Sequence, residues 1–67
     1  MTIRETKADG TVYEIAIFSN EKGKFQLVNL TKEKICPCEF DSRKDAFLDL
    51  AGYIAEGKIK GLEILSF

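Results

Sequence analysis

Polar and apolar residues alternate along most of the first thirty positions, which is the pattern of β-strands with one face toward a core. The runs Thr2–Lys7 and Thr11–Phe18 are rich in strand-forming residues and flank the pair Asp9-Gly10. An Asp-Gly pair tolerates the positive φ that both central residues of a type I′ turn need. We therefore expect a hairpin with a two-residue turn at this point.

A second turn is predicted at Asn20–Gly23. Asparagine favours the first position of a type I turn, and glycine supplies the left-handed residue that closes it. Lys24–Leu30 then forms a third strand. Ile35–Phe40 follows, but Pro37 cannot donate a backbone hydrogen bond, so this segment is expected to be an edge strand or an extended loop.

One helix is predicted, and it begins at Ser42, with Asp41 as the alternative N-cap. It ends at Gly57 in the left-handed position that follows many helices. Leu62–Phe67 is apolar enough to return as a last strand. The order β-β-β-(short β)-α-β predicts a single small α+β domain over residues 1–67, with a mostly antiparallel sheet and the helix packed on one face.

The helix has a wider apolar arc than contact with one sheet requires. On a helical wheel Phe47, Leu50 and Ile54 form its central face, while Leu48 and Tyr53 widen the arc to roughly 220°. An ordinary surface helix has an apolar stripe of about 100° or slightly more. We expect Leu50 and Ile54 to be buried, and Leu48 and Tyr53 to be either rim residues or partner contacts.

The predicted strands are apolar on both faces. Pairing across the Asn20–Gly23 loop places Phe18 opposite Phe25, with Leu27 next to them on the same face. One helix covers only one face, so the other must meet a second copy, a protein partner, or a curl of the sheet onto itself. We expect association, most simply as a homodimer. The candidate partner-binding residues are Phe18, Phe25, Leu27, Leu48 and Tyr53.

The amino-acid composition excludes several kinds of catalytic and metal-binding site. The 67 residues contain no histidine, no tryptophan and two cysteines, with a formal net charge of −1. Histidine-dependent nucleophile pairs, metal ligands and pH switches are therefore excluded, and we expect neither enzymatic activity nor a cofactor. No apolar run approaches the ~20 residues of a membrane span, and the N-terminus has no signal-peptide character. A cytoplasmic protein that does not contact membranes is expected.

The tripeptide Cys36-Pro37-Cys38 allows three interpretations. The thiols can be small apolar residues of the core. They can form half of a tetrahedral metal site, which would need further ligands from a second chain or from nearby carboxylates. They can cycle between thiol and disulfide, although a C-x-C spacing lacks the helix dipole that activates C-x-x-C motifs. We favour the core interpretation.

Four lysines flank the predicted third strand and provide an alternative function. A basic sheet side with Phe18 and Phe25 as stacking platforms would suit a nucleic-acid-binding domain. The lysines concerned are Lys22, Lys24, Lys32 and Lys34. The favoured hypothesis remains a non-enzymatic binding or regulatory module, such as an accessory, inhibitor or regulator protein, that acts by protein–protein contact.

Overall fold

The computed structural model describes all 67 residues as one five-stranded sheet with one helix. The sheet order is β4-β3-β2-β1-β5, and every neighbouring pair is antiparallel. This confirms the predicted α+β class and element order. The elements are β1 (Thr2–Lys7), β2 (Val12–Ser19), β3 (Phe25–Asn29), β4 (Lys34–Ile35), α1 (Arg43–Ala55) and β5 (Ile59–Ser66).

The first hairpin has a different turn from the predicted one. Gly10 has a φ of 92°, but Asp9 does not have the positive φ that a type I′ turn requires. The Gly10 amide donates to the Lys7 carbonyl (2.9 Å), and the Lys7 amide donates to the Thr11 carbonyl (2.7 Å). The Asp9 carboxylate accepts the Thr11 amide at 2.9 Å. This hydrogen bond stabilises a three-residue loop, so only the glycine adopts the left-handed conformation.

The second hairpin confirms the predicted turn but corrects the pairing that follows from it. Gly23 has a φ of 77°, and its amide donates to the Asn20 carbonyl at 3.0 Å. The Asn20 amide in turn donates to the Lys24 carbonyl at 2.8 Å, so Asn20 and Lys24 close a three-residue loop over residues 21–23, as Lys7 and Thr11 do in the first hairpin. Because this loop is one residue shorter than the predicted Asn20–Gly23 loop, the register shifts by one, and Phe18 lies opposite Gln26 instead of Phe25.

The chain from β4 to β5 follows the predicted order of elements, but β5 begins at Ile59, three residues before the predicted Leu62. β4 has two residues, and Phe40 adds one isolated bridge to Phe25 at the same edge. Ser42 caps the helix, since its hydroxyl accepts the Asp45 amide at 3.0 Å. The helix ends in a Schellman motif, in which the Lys58 amide donates to the Tyr53 carbonyl (2.9 Å) and the amide of Gly57 to the carbonyl of Ile54 (3.0 Å).

The core lies between α1 and one face of the sheet. It contains Leu50 as predicted, but Ile54 is 41% exposed, so the prediction that it is buried was wrong. The helix is rotated so that the line through Ala46, Leu50 and Tyr53 contacts the sheet, and Leu48 points to solvent. The buried apolar residues are Ile3, Ile15, Ile17, Leu27, Ala46, Leu50 and Ile59.

The sheet is open. β4 and β5 form its two opposite edges and do not pair with each other, which removes the curled-sheet alternative. The only helix contacts β2, β3 and β5 from one side. The opposite face of the sheet therefore has no covering element within the chain. No helix in the structure has the length and apolar character needed to cross a membrane.

Candidate functional site

The uncovered sheet face is divided into an apolar and a polar half. The register places every second residue of β2, β3 and β4 on this face, and Ala16, Val28 and Ile35 form one continuous cross-strand row. Phe18 and Leu30 extend that row along β2 and β3. These five residues, Ala16, Phe18, Val28, Leu30 and Ile35, are called the apolar sheet patch below.

The polar half belongs to β1 and β5, with Glu14 of β2 at its border. Arg4 lies between Glu14 and Glu63 in the register, and its guanidinium donates to the Glu63 carboxylate at 3.3 Å. On the far side of this charged row, Val12 lies alone beside Thr6. The row separates Val12 from the apolar sheet patch and limits the patch to β2, β3 and β4.

The predicted partner-binding residues do not form one surface. Phe18 lies in the apolar sheet patch, but Leu27 is buried beneath the helix and Phe25 packs against the core. Leu48 is exposed on the outer side of α1, and Tyr53 is half-buried on its inner side. The one-residue register error explains the result for the sheet, because a shift of one exchanges the two faces of a strand.

The same error hid residues that do form the patch. Val28 and Leu30 lie on the uncovered face together with Phe18, whereas the predicted pairing of Phe18 with Phe25 puts them on the other face of the sheet. The Asn20–Gly23 sequence of the second hairpin loop does contain information about the correct register. A type I turn followed by a left-handed glycine commonly makes a three-residue hairpin loop with a bulge at the glycine, and Asn20–Gly23 matches this pattern.

A groove lies on the other side of the sheet, between the second half of α1 and the β3–β4 edge. Its volume is about 290 Å³. Ile15, Leu27 and Leu50 contribute core side chains to its lining. The remaining lining residues are Asn29, Lys32, Lys34, Ile35, Cys36 and Tyr53.

The four predicted basic residues fall into two pairs with different environments. Lys22 lies 3.7 Å from the Glu39 carboxylate, and Lys24 forms an ion pair with Asp41. The hydrogen bond between Lys24 and Asp41 raises the pKa of the lysine and lowers the pKa of the carboxyl. Lys32 and Lys34 have no carboxylate within 4.0 Å.

The Lys32 ammonium instead lies 4.8 Å from the centre of the Tyr13 ring, within range of a cation–π contact. The unpaired lysines are thus the two that line the groove. Phe18 and Phe25 lie on opposite faces of the sheet, so they do not form a common stacking platform.

Both cysteines are free. Cys36 is half-buried against the core and lines the groove, in agreement with the core interpretation, whereas Cys38 is exposed. The pKa of the Cys38 thiol is raised, chiefly by a hydrogen bond to the Cys36 side chain and secondly by the electrostatic effect of Cys36. A thiol that is more protonated than usual is a poor nucleophile. The structure contains no group of three or more Cys, Asp or Glu side chains arranged to hold a metal ion.

The protein-family models, the curated proteins and the solved structures contain no match to this chain. Function is therefore inferred from the two surfaces themselves, the apolar sheet patch and the groove.

Proposed function

We propose that the chain is a non-enzymatic protein-binding module that self-associates through the apolar sheet patch. The observation that carries the proposal is the open sheet, which leaves this patch uncovered on the face opposite the helix, with Leu30 and Ile35 exposed and the other three side chains half-buried. Five neighbouring apolar side chains on a solvated sheet face depart from the polar pattern that such a face usually has.

A second copy fits the patch because of where the charges lie. Two patches can pack face to face about a two-fold axis near β3, with the sheets about 10 Å apart. Arg4 and Glu63, on β1 and β5, then lie outside the overlap, and Glu14, which is the cross-strand neighbour of Leu30, lies at its rim and stays in contact with water. No charge needs to be buried in this arrangement, which avoids the main energetic penalty of an interface.

The dimensions of the molecule make this a weak dimer. Its two largest extents are 35 and 22 Å, whose product limits the projected area of the sheet face to about 770 Å². The apolar half offers roughly 400 Å² of this, below the ~800 Å² per partner of a standard stable interface. We therefore expect association in the high micromolar range, in rapid exchange with monomer.

Sedimentation velocity over about 10 µM to 1 mM tests the proposal, since this range brackets the expected dissociation constant. The mass should rise with concentration for the wild type. Leu30→Glu should remain monomeric, because it places a charge inside the patch. Val12→Glu is the matched control: the two side chains lie on the same face and are 46% and 47% exposed, but Val12 is outside the patch.

Three outcomes would contradict the proposal. The first is a wild-type monomer throughout the concentration range. The second is an equal effect of the Leu30 and Val12 variants. The third is loss of association in Leu48→Glu, which would place the contact on the exposed side of the helix.

Nucleic-acid binding is the weaker alternative. Lys22 and Lys24 are already paired with carboxylates, and the unpaired Lys32 and Lys34 form only a small basic site. Retention on a nucleic-acid column that falls steeply with salt would favour it nevertheless, because phosphate contacts release counterions.

A further inference from the structure

We propose that the groove between α1 and the β3–β4 edge binds a small amphipathic monoanion, an alkyl or aryl carboxylate. The apolar body of the ligand would lie on Ile15, Leu27 and Leu50, and its carboxylate would lie between Lys32 and Lys34. This site is on the helix side of the sheet and shares only Ile35 with the apolar sheet patch.

The size of the groove sets the size of the ligand. A volume of about 290 Å³ is at the lower end of the ~300–1,000 Å³ typical of ligand pockets. At ~30 Å³ for each water-sized group, the groove holds about ten such groups. A carboxylate with a six- to ten-carbon body (roughly this size) fits, whereas a folded peptide element does not.

Local backbone structure holds both lysines at the groove. Lys34 lies opposite Asn29 in the register, and Asn29 shares the helix-side face with Ile15. The Asn29 carboxamide oxygen accepts the Lys32 amide at 2.9 Å, which fixes the start of the turn. Between the two lysines, Glu33 adopts a φ of 57°, a left-handed conformation that is unusual for glutamate.

Charge complementarity identifies the ligand as an anion. Lys22 and Lys24 have carboxylate partners, but Lys32 and Lys34 have none. Asn29 adds a polar group that does not carry charge. Two ammonium groups above an apolar floor form a site in which one negative headgroup and one apolar body are both satisfied.

The two tyrosines of the chain provide a direct binding assay. Tyr53 lines the groove, Tyr13 lies beneath the Lys32 ammonium, and the chain has no tryptophan to mask them. Titration with monomeric octanoate should change the tyrosine fluorescence saturably. Octanol and octylammonium have the same apolar body as octanoate but lack the negative headgroup. We therefore expect their affinities to be lower than that of octanoate by about tenfold or more.

Charge variants locate the headgroup. Lys32→Gln/Lys34→Gln should lower octanoate affinity about tenfold or more, whereas Lys22→Gln/Lys24→Gln should leave it unchanged. Lys32→Glu/Lys34→Glu should reverse the preference, so that octylammonium binds better than octanoate. All four side chains are exposed, and far-UV circular dichroism verifies that each variant is folded.

Absence of a saturable signal would overturn the inference. So would equal affinity for octanoate, octanol and octylammonium, or equal losses in the two Gln double variants. Leu30→Glu separates the test of octanoate binding from the test of self-association. This variant should be monomeric and should still bind octanoate as the wild type does. Binding of a peptide with acidic and aromatic residues, but not of octanoate, would assign the groove to a protein partner and would also overturn the inference.

Discussion

The most informative perturbation is the removal of the cation beside Glu5. Glu5 is the only buried charged residue, with 4% of its surface exposed on the helix side of β1. Its carboxylate lies 3.1 Å from the Lys7 ammonium, whose side chain is 39% exposed. Lys7→Met retains most of the aliphatic stem and removes the charge, so that the largely buried carboxylate is left without its cation.

The expected loss of folding stability in Lys7→Met depends on how far each member of the Glu5–Lys7 ion pair is buried. Removing one member of a fully buried ion pair costs about 3–5 kcal/mol, whereas exposed pairs contribute about 0–1 kcal/mol. With one partner buried and the other partly exposed, Lys7→Met should cost about 2 kcal/mol. At ~0.05–0.15 kcal/mol per residue, the 67 residues have a total stability of about 3–10 kcal/mol, so this is a large fraction.

Urea unfolding followed by far-UV circular dichroism measures the effect. With a slope near 1 kcal/mol per molar urea, the Lys7→Met midpoint should fall by about 2 M. Glu5→Met should lie within about 1 kcal/mol of the wild type, because an apolar side chain replaces both the charge and its desolvation cost. The double variant should match Glu5→Met, and Lys60→Met is the control for an exposed lysine without an ion pair. A Lys7→Met cost below about 0.5 kcal/mol would refute the reasoning.

Three further predictions test other parts of the structure. Leu50→Ala should cost about 2–5 kcal/mol and the partly exposed Ile54→Ala less than half as much; equal costs in urea unfolding would contradict the helix orientation. Glu33→Gly should raise the urea midpoint, with a gain of up to about 1 kcal/mol, because glycine relieves the left-handed strain; no gain would contradict this. Since Cys36 raises the pKa of Cys38, iodoacetamide should alkylate Cys38 with a pH midpoint above that of an ordinary thiol. Cys36→Ala should lower that midpoint, as measured by mass spectrometry.

Local chemistry made the turns and caps predictable. Asn20, Gly23, Ser42 and Gly57 act within four residues of their own positions, through side-chain hydrogen bonds or left-handed backbone conformations. The sequence therefore contains the information that places these ends. The same reasoning failed at Asp9-Gly10, because the carboxylate of Asp9 bonds to Thr11 and favours a longer loop than the dipeptide alone suggests.

Relations between distant elements were not predictable in the same way. The strand register depends on whether Asn20 belongs to the loop or pairs with Lys24, and this one residue decides which apolar set faces the helix. The rotation of α1 depends on the fit of Ala46 against the sheet, which a helical wheel does not include. The groove combines β2, β3, β4 and α1, so no local pattern indicates it.

The two proposed surfaces meet at β4. Ile35 lies opposite Val28 in the register, and it also lines the groove on the helix side. This is possible because β4 is a two-residue edge strand with no neighbour beyond it. Ile35→Ala should therefore weaken both self-association and octanoate binding, whereas Leu30→Glu should affect only the first and Lys32→Gln/Lys34→Gln only the second. If Ile35→Ala affects only one of the two processes, sedimentation and tyrosine fluorescence together identify the face on which this side chain acts.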